Sequence, residues 1–330
     1  MQCNRISGAL LALAVGTAAL SSCNSDDPVF SAITYPDRIS FTAARQYPEG
    51  IAYAPTLDRF LVSSLTQGKI GTVDQQGNYA DLIRDSLLIA AVGLKVQNER
   101  LYVCHGDLGV STKTTTTSAM KTAGLYIYDL KTGTAIRRVN LATLLPTANH
   151  YANDLALDAQ GNAYVTDSFS PVIYRVPADA SLPATVLVNS TRFQGEGFNL
   201  NGIVWHPDNY LIVAKANEGK LFKVNLNQSN AITEVTGVSL PGGDGMVLYN
   251  NVLYVVNNRN RVSQVRSTDG WATASLVKTD STGYDQTTTN TVLNGQIYSL
   301  NARIGETSAA AMAKNPALLQ ASGYSIQRFK

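Results

Sequence analysis

Apolar and polar residues alternate most clearly between Tyr151 and Ser168. Apolar residues occur at every second position on either side of a Gly/Asn turn, at Leu155, Leu157, Ala163 and Val165. This is the pattern of two short antiparallel strands. Asn153-Asp154 opens the first strand and Asp167-Ser168 closes the second, so a hairpin places both polar pairs at one edge. The pattern predicts a β-hairpin with a polar edge.

Similar hairpins recur along the chain. Their first strands begin at Glu49, Val92, Asn153, Asn201, Asp244 and, less clearly, Thr288. The spacings of 43, 61, 48, 43 and 44 residues are close to the about 40–50 residues of a propeller blade. We therefore predict an all-β fold, a six-bladed β-propeller over residues 37–330. A late strand at Tyr324–Phe329, joined by Arg38–Thr42 from the start of the chain, would close the ring and cover exposed edges.

Two repeats carry insertions after their second strand, at Gly106–Gly124 and Gly305–Gly323. An Ala-rich piece of the later insertion, Ser308–Ala313, is predicted to be helical until Pro316. Both insertions leave the fold at the edge that carries Asp167. They are either a lid over one side of the central channel or tolerated surface loops.

The composition fits a well-buried globular protein, since 45% of the 330 residues are hydrophobic and 15% are charged. A net charge of +2 gives no reason to expect a nucleic-acid partner. We expect a monomer that acts on a small molecule. Cys104 lies in an apolar strand pattern, which indicates a buried, inert thiol.

The first 23 residues have the pattern of an export signal. Arg5 precedes an apolar run from Gly8 to Leu20, and small residues lead to Cys23. The end resembles a bacterial lipobox, in which Cys23 is lipidated; the alternative is an ordinary signal peptide cleaved nearby. We expect residues 24–36 to form a tether. The protein would then be anchored in a bacterial cell envelope, in the outer membrane or the periplasm, and would contact the membrane only through this lipid.

The residues at the heads of the six first strands form a column in which four side chains supply oxygen ligands. In a propeller these strands line the channel, so the four side chains should converge at its mouth. Two carboxylates and two amides suit a hard divalent cation, above all Ca²⁺, although another divalent cation would also fit. The column predicts a central metal site made by Glu49, Asn153, Asn201 and Asp244. Alternatively, the Asn-Gly and Asp-Gly pairs simply make turns.

A second column stands at the ends of the second strands and is polar throughout: Ser64, His105, Asp167, Lys215, Asn257 and Asn301. We predict that His105, Asp167, Lys215 and Asn257 form the wall of a pocket beside the metal, with Tyr151 near the ligands. For Ser64 and Asn301 an ordinary polar rim is the better interpretation.

Four motifs stand in order at the heads of repeats: Pro48–Tyr53, Asn153-Asp154, Asn201–Trp205 and Gly243–Met246. They resemble the metal-site motifs of the regucalcin/gluconolactonase family, whose six-bladed calcium scaffold squid diisopropylfluorophosphatase and the paraoxonases share. The resemblance covers nearly the whole mature chain. It implies that Glu49, Asn201 and Asp244 are direct ligands, and that Asn153 is a ligand or contacts a metal-bound water or substrate. His105 resembles in position a histidine of paraoxonases thought to assist hydrolysis.

One position departs from this family. Gluconolactonase-type enzymes often carry an arginine two residues before the third repeat's asparagine, where this chain has Tyr151. We therefore expect an apolar or aromatic substrate. The predicted function is a calcium-dependent hydrolase of a lactone, ester or phosphotriester, with Asp244 or His105 as the base. The alternative is a non-catalytic surface propeller that binds a glycan, peptide or protein partner.

Overall fold

Strands make up most of the regular structure in residues 35–330, the part of the chain that the computed structural model describes. The expected export signal, the lipidation site Cys23 and tether residues 24–34 lie outside this part. Strands form here because short runs of Val, Ile, Leu, Tyr and Thr alternate with polar residues between tight turns.

The strands group into four-stranded antiparallel units that follow chain order. Unit 1 contains β2 (Ile51–Ala54), β3 (Arg59–Val62), β4 (Lys69–Val73) and β5 (Tyr79–Arg84), after an initial strand β1 (Arg38–Thr42). Unit 2 contains β6 (Ala90–Gln97), β7 (Arg100–Gly106), β8 (Lys121–Asp129) and β9 (Ala135–Asn140). Unit 3 contains β10 (His150–Leu157), β11 (Ala163–Asp167), β12 (Val172–Val176) and β13 (Thr185–Asn189).

The second half of the chain repeats this arrangement. Unit 4 contains β14 (Leu200–His206), β15 (Tyr210–Lys215), β16 (Lys220–Asn225) and β17 (Ala231–Val235). Unit 5 contains β18 (Met246–Tyr249), β19 (Val252–Asn257), β20 (Arg261–Arg266) and β21 (Ser275–Asp280). Unit 6 contains β22 (Thr287–Leu293), β23 (Gln296–Asn301) and β24 (Gly323–Arg328), and it is completed by β1.

Strand β1 completes the last unit by pairing with β24. The two strands are antiparallel and in register from Arg38 opposite Gln327 to Thr42 opposite Gly323. The predicted closure by the two ends of the propeller is therefore confirmed. Pairing the start with the end of the chain covers the edge that β24 would otherwise expose.

The all-β propeller prediction is confirmed, but the number of separate sheets is five rather than six. Units 2 and 3 share one eight-stranded sheet, because β8 and β10 form a short parallel pairing. Only His150 with Lys121 and Tyr151 with Thr122 pair there. The long insertion of unit 2 returns beside the start of unit 3, which brings these two strands together.

The first strands of the six units contact one another in a closed ring, in the order β2, β6, β10, β14, β18, β22 and back to β2. Glycines after the strand heads allow this close approach. A Cβ on Gly50 would lie 2.2 Å from the carbonyl oxygen of Val92, and one on Gly202 would lie 2.2 Å from that of Asp244. The Glu-Gly and Asn-Gly pairs at these heads therefore serve strand packing and not tight turns.

The apolar core lies between neighbouring sheets. Leu61 and Ile70 of unit 1 pack in one cluster with Leu94 of unit 2, and all three are completely buried. A second cluster joins units 3 and 4, and a third joins units 4 and 5. Burial of each such side chain contributes about 1.5–3 kcal/mol, which makes the contacts between units the main support of the ring.

Both insertions pack at the same end of the ring. The predicted helix in the later one is confirmed as α1 (Gly305–Ala313), followed by a 3-10 turn at Pro316–Leu318. Other 3-10 turns lie at Ala142–Leu144 and Thr191–Phe193. Within residues 35–330, no helix has the length and apolar character needed to cross a membrane.

Candidate metal centre and pocket

A pocket of about 380 Å³ lies at the end of the ring where the first strands begin. All four predicted metal ligands line it, although they come from four different units. Around them stand residues from the loops and both insertions: Leu65, Leu108, Tyr151, Phe198, Ala216, Asn217, Gly242, Asn258, Arg259, Ile304, Thr307 and Ser308. Val92 and Thr288, the remaining members of the first column, are fully buried and do not line it.

The backbone at Glu49 is held by hydrogen bonds from both sides. Its N–H and that of Gly50 donate to the hydroxyl oxygen of Ser63, at 3.0 and 2.7 Å. Its carbonyl accepts a 2.6 Å hydrogen bond from the hydroxyl of Thr288 in unit 6. These contacts fix the position from which the Glu49 side chain enters the pocket.

The other ligands are positioned in a similar way. The Nδ2 of Asn153 donates to the Ser168 hydroxyl oxygen at 2.9 Å, so its donor side is occupied within unit 3. The Thr166 hydroxyl donates to the Asn201 carbonyl at 2.7 Å, and the Asp244 N–H donates to the Val256 carbonyl at 2.8 Å.

Among the residues that the structure describes, each of the four side chains keeps one buried oxygen for which no hydrogen-bond partner is found. These are Glu49 Oε2, Asn153 Oδ1, Asn201 Oδ1 and Asp244 Oδ1. Buried polar atoms normally have partners, since leaving one unpaired costs about 1–3 kcal/mol. Four such atoms around one pocket fit a hard cation such as Ca²⁺, which prefers carboxylate and amide oxygens. In the described residues no group of three or more His, Cys, Asp or Glu side chains is placed to hold a metal, so a metal site in this pocket would need the two amide oxygens as well.

The buried carboxylates of the pocket also favour a bound cation, because their pKa values are raised. Burial raises the pKa of the Glu49 carboxyl well above its usual range, and the nearby charges of Asp244 and Asp154 raise it further. Burial also raises the pKa of Asp244 to about 7, while a hydrogen bond from Asn201 partly opposes this shift. A bound divalent cation would offset the repulsion between these carboxylates.

The structure does not bring His105 to the pocket. Its ring is buried, its Nε2 accepts a 3.1 Å hydrogen bond from the Ile89 N–H, and it contacts the ring of Tyr126 at 4.5 Å. Burial lowers its pKa to about 4, so His105 is neutral near pH 7. His105 therefore packs within unit 2, against Tyr126 and the connection before β6, and not in the pocket where the sequence placed it.

Asp167, Lys215 and Asn257 are also outside the pocket lining, which corrects the predicted pocket wall. Asp167 accepts hydrogen bonds from the Tyr151 N–H at 2.9 Å and faces His150 Nδ1 at 2.8 Å. Lys215 donates to the Arg192 carbonyl at 2.9 Å and pairs with Glu218 at 2.5 Å. Asn257 accepts from the Ser263 hydroxyl at 2.8 Å. A buried polar group needs partners: Asp167 and Asn257 find them within their own units, and Lys215 finds them in Glu218 and in the connection that precedes unit 4.

The pocket wall is instead formed by residues that follow the second strands. Leu65 comes one residue after Ser64, Ala216 and Asn217 follow Lys215, and Asn258 and Arg259 follow Asn257. The strand-end side chains anchor these loops, while the next residues overhang the pocket. The earlier insertion adds Leu108; the later insertion adds Thr307 and Ser308, and Ile304 directly precedes it. Five of the wall residues lie one or two positions after a residue of the second column, which is the sequence signal that would have found them.

Tyr151 was correctly placed in the pocket, and it belongs to a group of three aromatic rings. Its ring centroid lies 5.8 Å from that of Phe169 and 6.0 Å from that of Phe198. The Tyr151 ring also packs on the backbone of Gly106, where a Cβ would lie 2.8 Å from the ring.

These features define a β-propeller with an oxygen-lined, partly aromatic pocket at one end of its central ring. No protein-family model matches the chain, and no curated protein matches it. Solved structures do: that of the major Malassezia sympodialis allergen Mala s 1 has 18% sequence identity and a TM-score of 0.70, covering 90% of this chain and 97% of that one.

Enzymes are also among these structures. A gluconolactonase from Xanthomonas campestris has 14% identity and a TM-score of 0.59, covering 89% of this chain and 91% of that one. A luciferin-regenerating enzyme has 12% identity and a TM-score of 0.57, covering 88% and 95%. At these identities the likeness establishes the fold alone, which is that of a β-propeller.

Proposed function

We propose that this protein is a divalent-cation-dependent hydrolase of a lactone or ester, with calcium as the cation and phosphotriesters as a further substrate class. One observation carries the proposal. Four buried oxygens from four units, each without a hydrogen-bond partner, meet in one pocket that is open to a small molecule. The solved gluconolactonase of the same fold supports this choice of reaction class.

The cation would be held by Glu49, Asn153, Asn201 and Asp244. When bound, it would polarise the carbonyl or phosphoryl oxygen of the substrate. Two carboxylates would balance its double charge. Hydrogen bonds to the Asn153 side chain and to the Asn201 backbone would hold these two ligands in place before the metal binds.

The chain itself would supply proton transfer. Hydrolysis adds one water: its oxygen bonds to the carbonyl carbon, the carbon–oxygen bond to the leaving group breaks, and a proton moves from the water to the departing oxygen. Asp244 is our candidate for carrying this proton, because it lines the pocket and Asn201 hydrogen-bonds its carboxylate. His105 has no part in this scheme, since it lies outside the pocket lining.

The apolar part of the pocket would orient the substrate and exclude water from its tail. Leu65, Leu108 and Ile304 line it from three different segments, together with Tyr151 and Phe198. Hydrophobic walls with a few polar groups are typical of sites for small organic ligands.

A panel of aliphatic lactones, aryl lactones and aryl esters, assayed with calcium, tests the proposal. We expect turnover that disappears on chelation and returns when calcium is restored, and a loss of at least about a hundredfold in Glu49→Gln. Asp208→Asn, at an exposed carboxylate, is the matched control and should be fully active. Activity that survives chelation would contradict the mechanism. Calcium binding without turnover of any compound would favour the non-catalytic surface propeller.

We further propose export and lipid anchoring through Cys23, on the lipobox-like sequence alone. Mass spectrometry of the mature N-terminus should find an acylated Cys23, and Cys23→Ala should release the protein from the membrane fraction. An unmodified N-terminus elsewhere would support an ordinary signal peptide.

A further inference from the structure

Arg259 contributes the one cationic side chain among the described residues that line the pocket. It is solvent-exposed, and its guanidinium has no ion pair or hydrogen bond with any residue in 35–330. The amide of the neighbouring pocket residue Asn217, by contrast, donates to Asn199 Oδ1 at 2.9 Å. The guanidinium is therefore available to a ligand.

The turn that carries Arg259 is held firmly at its backbone. Asn258 and Arg259 adopt successive positive φ angles of 50° and 60°, which are uncommon for residues other than glycine. The Asn258 N–H donates to the Pro241 carbonyl at 2.9 Å, and the Thr287 N–H donates to the Arg259 carbonyl at 2.6 Å. A left-handed pair of this kind, anchored on both sides, fixes the start of the Arg259 side chain beside the pocket.

The same turn is connected to the later insertion. Asn260 Oδ1 accepts a 3.0 Å hydrogen bond from the Gln286 N–H, and the Gln286 side chain accepts one from the N–H of Gly305, the first residue of α1. Arg259 and the pocket-lining residues Thr307 and Ser308 are therefore held by one hydrogen-bonded network.

A charge count shows what the pocket attracts. A divalent cation would balance Glu49 and Asp244, and Asp154 faces Lys95 with Nζ and Oδ1 3.8 Å apart. Arg259 then leaves the pocket with a positive charge.

An aromatic surface lies elsewhere in the same pocket. Phe198 is 39% exposed despite packing against Tyr151 and Phe169, at centroid distances of 6.0 and 5.1 Å. Its loop is held because Asn199 Nδ2 donates to the carbonyls of Gly195 and Gly197, both at 3.1 Å. An exposed ring on a fixed loop is a ready stacking surface for a flat ligand.

We infer that the natural ligand combines an anionic group, a carboxylate, with an aromatic or flat apolar group. The carboxylate pairs with Arg259, and the flat group packs on Phe198 and Tyr151. A guanidinium offers two parallel donors to a carboxylate, which gives orientation as well as affinity. The inference rests on the proposed function. If the protein is a hydrolase, its substrate is an aromatic ester or lactone that also carries a free carboxylate.

Calorimetric titration of the calcium-loaded protein with phenylacetate and phenylacetamide tests the inference without turnover. The two compounds match in shape and differ in charge. We expect the acid to bind at least about tenfold more tightly than the amide. Arg259→Gln should abolish that preference, and Arg259→Lys should keep part of it. Arg261→Gln removes the same charge two positions away, outside the pocket, and should leave the preference intact. Phe198→Ala should lower the affinity for both compounds to the same extent.

The outcomes separate this inference from the hydrolase proposal. Equal binding of acid and amide, or no binding of either, would overturn the inference even if neutral esters are hydrolysed. If Arg259→Gln still binds the acid more tightly than the amide, the carboxylate contacts the bound cation and not Arg259. This result would also overturn the inference. A preference that depends on Arg259, in a protein that hydrolyses nothing, would support it and contradict only the hydrolase.

Discussion

The Thr288 hydroxyl donates a 2.6 Å hydrogen bond to the backbone carbonyl of Glu49, although the two residues are 239 positions apart in the chain. This contact joins the last unit of the ring to the first. Because Glu49 is also a proposed metal ligand, the closure of the propeller and the geometry of the pocket depend on the same residue.

Close contact between strand heads predicts that Gly50→Ala is strongly destabilising. The new Cβ would lie 2.2 Å from the Val92 carbonyl oxygen, so one of two neighbouring first strands must shift. We expect a loss of roughly 3 kcal/mol or more in the free energy of unfolding, measured by chemical denaturation. Gly323→Ala, with no atom within 4 Å of its new Cβ, is the matched control. Equal stability of the two variants would show that the strands at Gly50 and Val92 can separate enough to accommodate a methyl group at little cost.

The pocket carboxylates predict opposite effects of one substitution with and without metal. Burial raises the pKa of Asp244 to about 7, so its charged form destabilises the metal-free protein as pH rises above the unfolded value near 3.8. In a chelator at pH 8, Asp244→Asn should be more stable than wild type by up to roughly 4 kcal/mol. The difference should vanish near pH 4.

With calcium the order should reverse. The ion should raise the melting temperature of wild type, because it binds the folded state alone, and should have little effect on Asp244→Asn. Differential scanning calorimetry with and without calcium measures both effects. A wild-type melting curve unchanged by calcium would contradict the metal site, whereas a shift of equal size in both proteins would exclude Asp244 as a ligand.

His105 predicts a loss of stability in acid. Burial lowers its folded pKa to about 4 from an unfolded value near 6.5, so stability is fully present above pH 6.5 and is lost as pH falls toward 4. This shift corresponds to about 3 kcal/mol. In His105→Gln, stability measured by denaturant titration should therefore depend less on pH between 6.5 and 4. This variant should still hydrolyse its substrate. A large loss of activity would instead indicate that His105 takes part in catalysis.

The local stability of the later insertion is predicted to depend on hydrogen bonds of the Tyr47 hydroxyl. Its hydroxyl bonds to Glu306 in α1 and accepts a 2.8 Å hydrogen bond from the Ala321 N–H, and burial is the main cause that raises its pKa to about 12. Tyr47→Phe should cost about 1–2 kcal/mol of local stability and speed amide exchange across residues 305–323.

Hydrogen-exchange mass spectrometry checks this prediction. Tyr53→Phe, which removes a hydroxyl bonded to Asp58 on a turn of unit 1, should leave exchange of residues 305–323 unchanged. If Tyr47→Phe does not alter it either, the insertion is held by other contacts.

Prediction from sequence succeeded for the heads of the first strands. Four of the six heads couple an oxygen-bearing ligand side chain to a strand start, and a ring brings such positions together regardless of loop length. Glu49, Asn153, Asn201 and Asp244 are therefore found in one pocket as expected.

The prediction that residues at the ends of the second strands line the pocket was wrong for a physical reason. A polar residue at a strand end can face the pocket or hydrogen-bond the loop beside it, and the two outcomes look alike in sequence. Burial decides between them: Lys215 is only 2% exposed and binds the carbonyls of Arg192 and Gln194, which leaves Asn217 to reach the pocket.

The sequence by itself determined the all-β repeat, the closure of the ring by its two ends, and the four oxygen-bearing positions, because alternation and spacing are local properties that repeat. Only the tertiary structure decided that units 2 and 3 share a sheet, that His105 packs away from the pocket, and that Arg259 lines it with no partner among residues 35–330. These depend on which partners each polar group meets once distant segments pack together, and no local pattern encodes that choice.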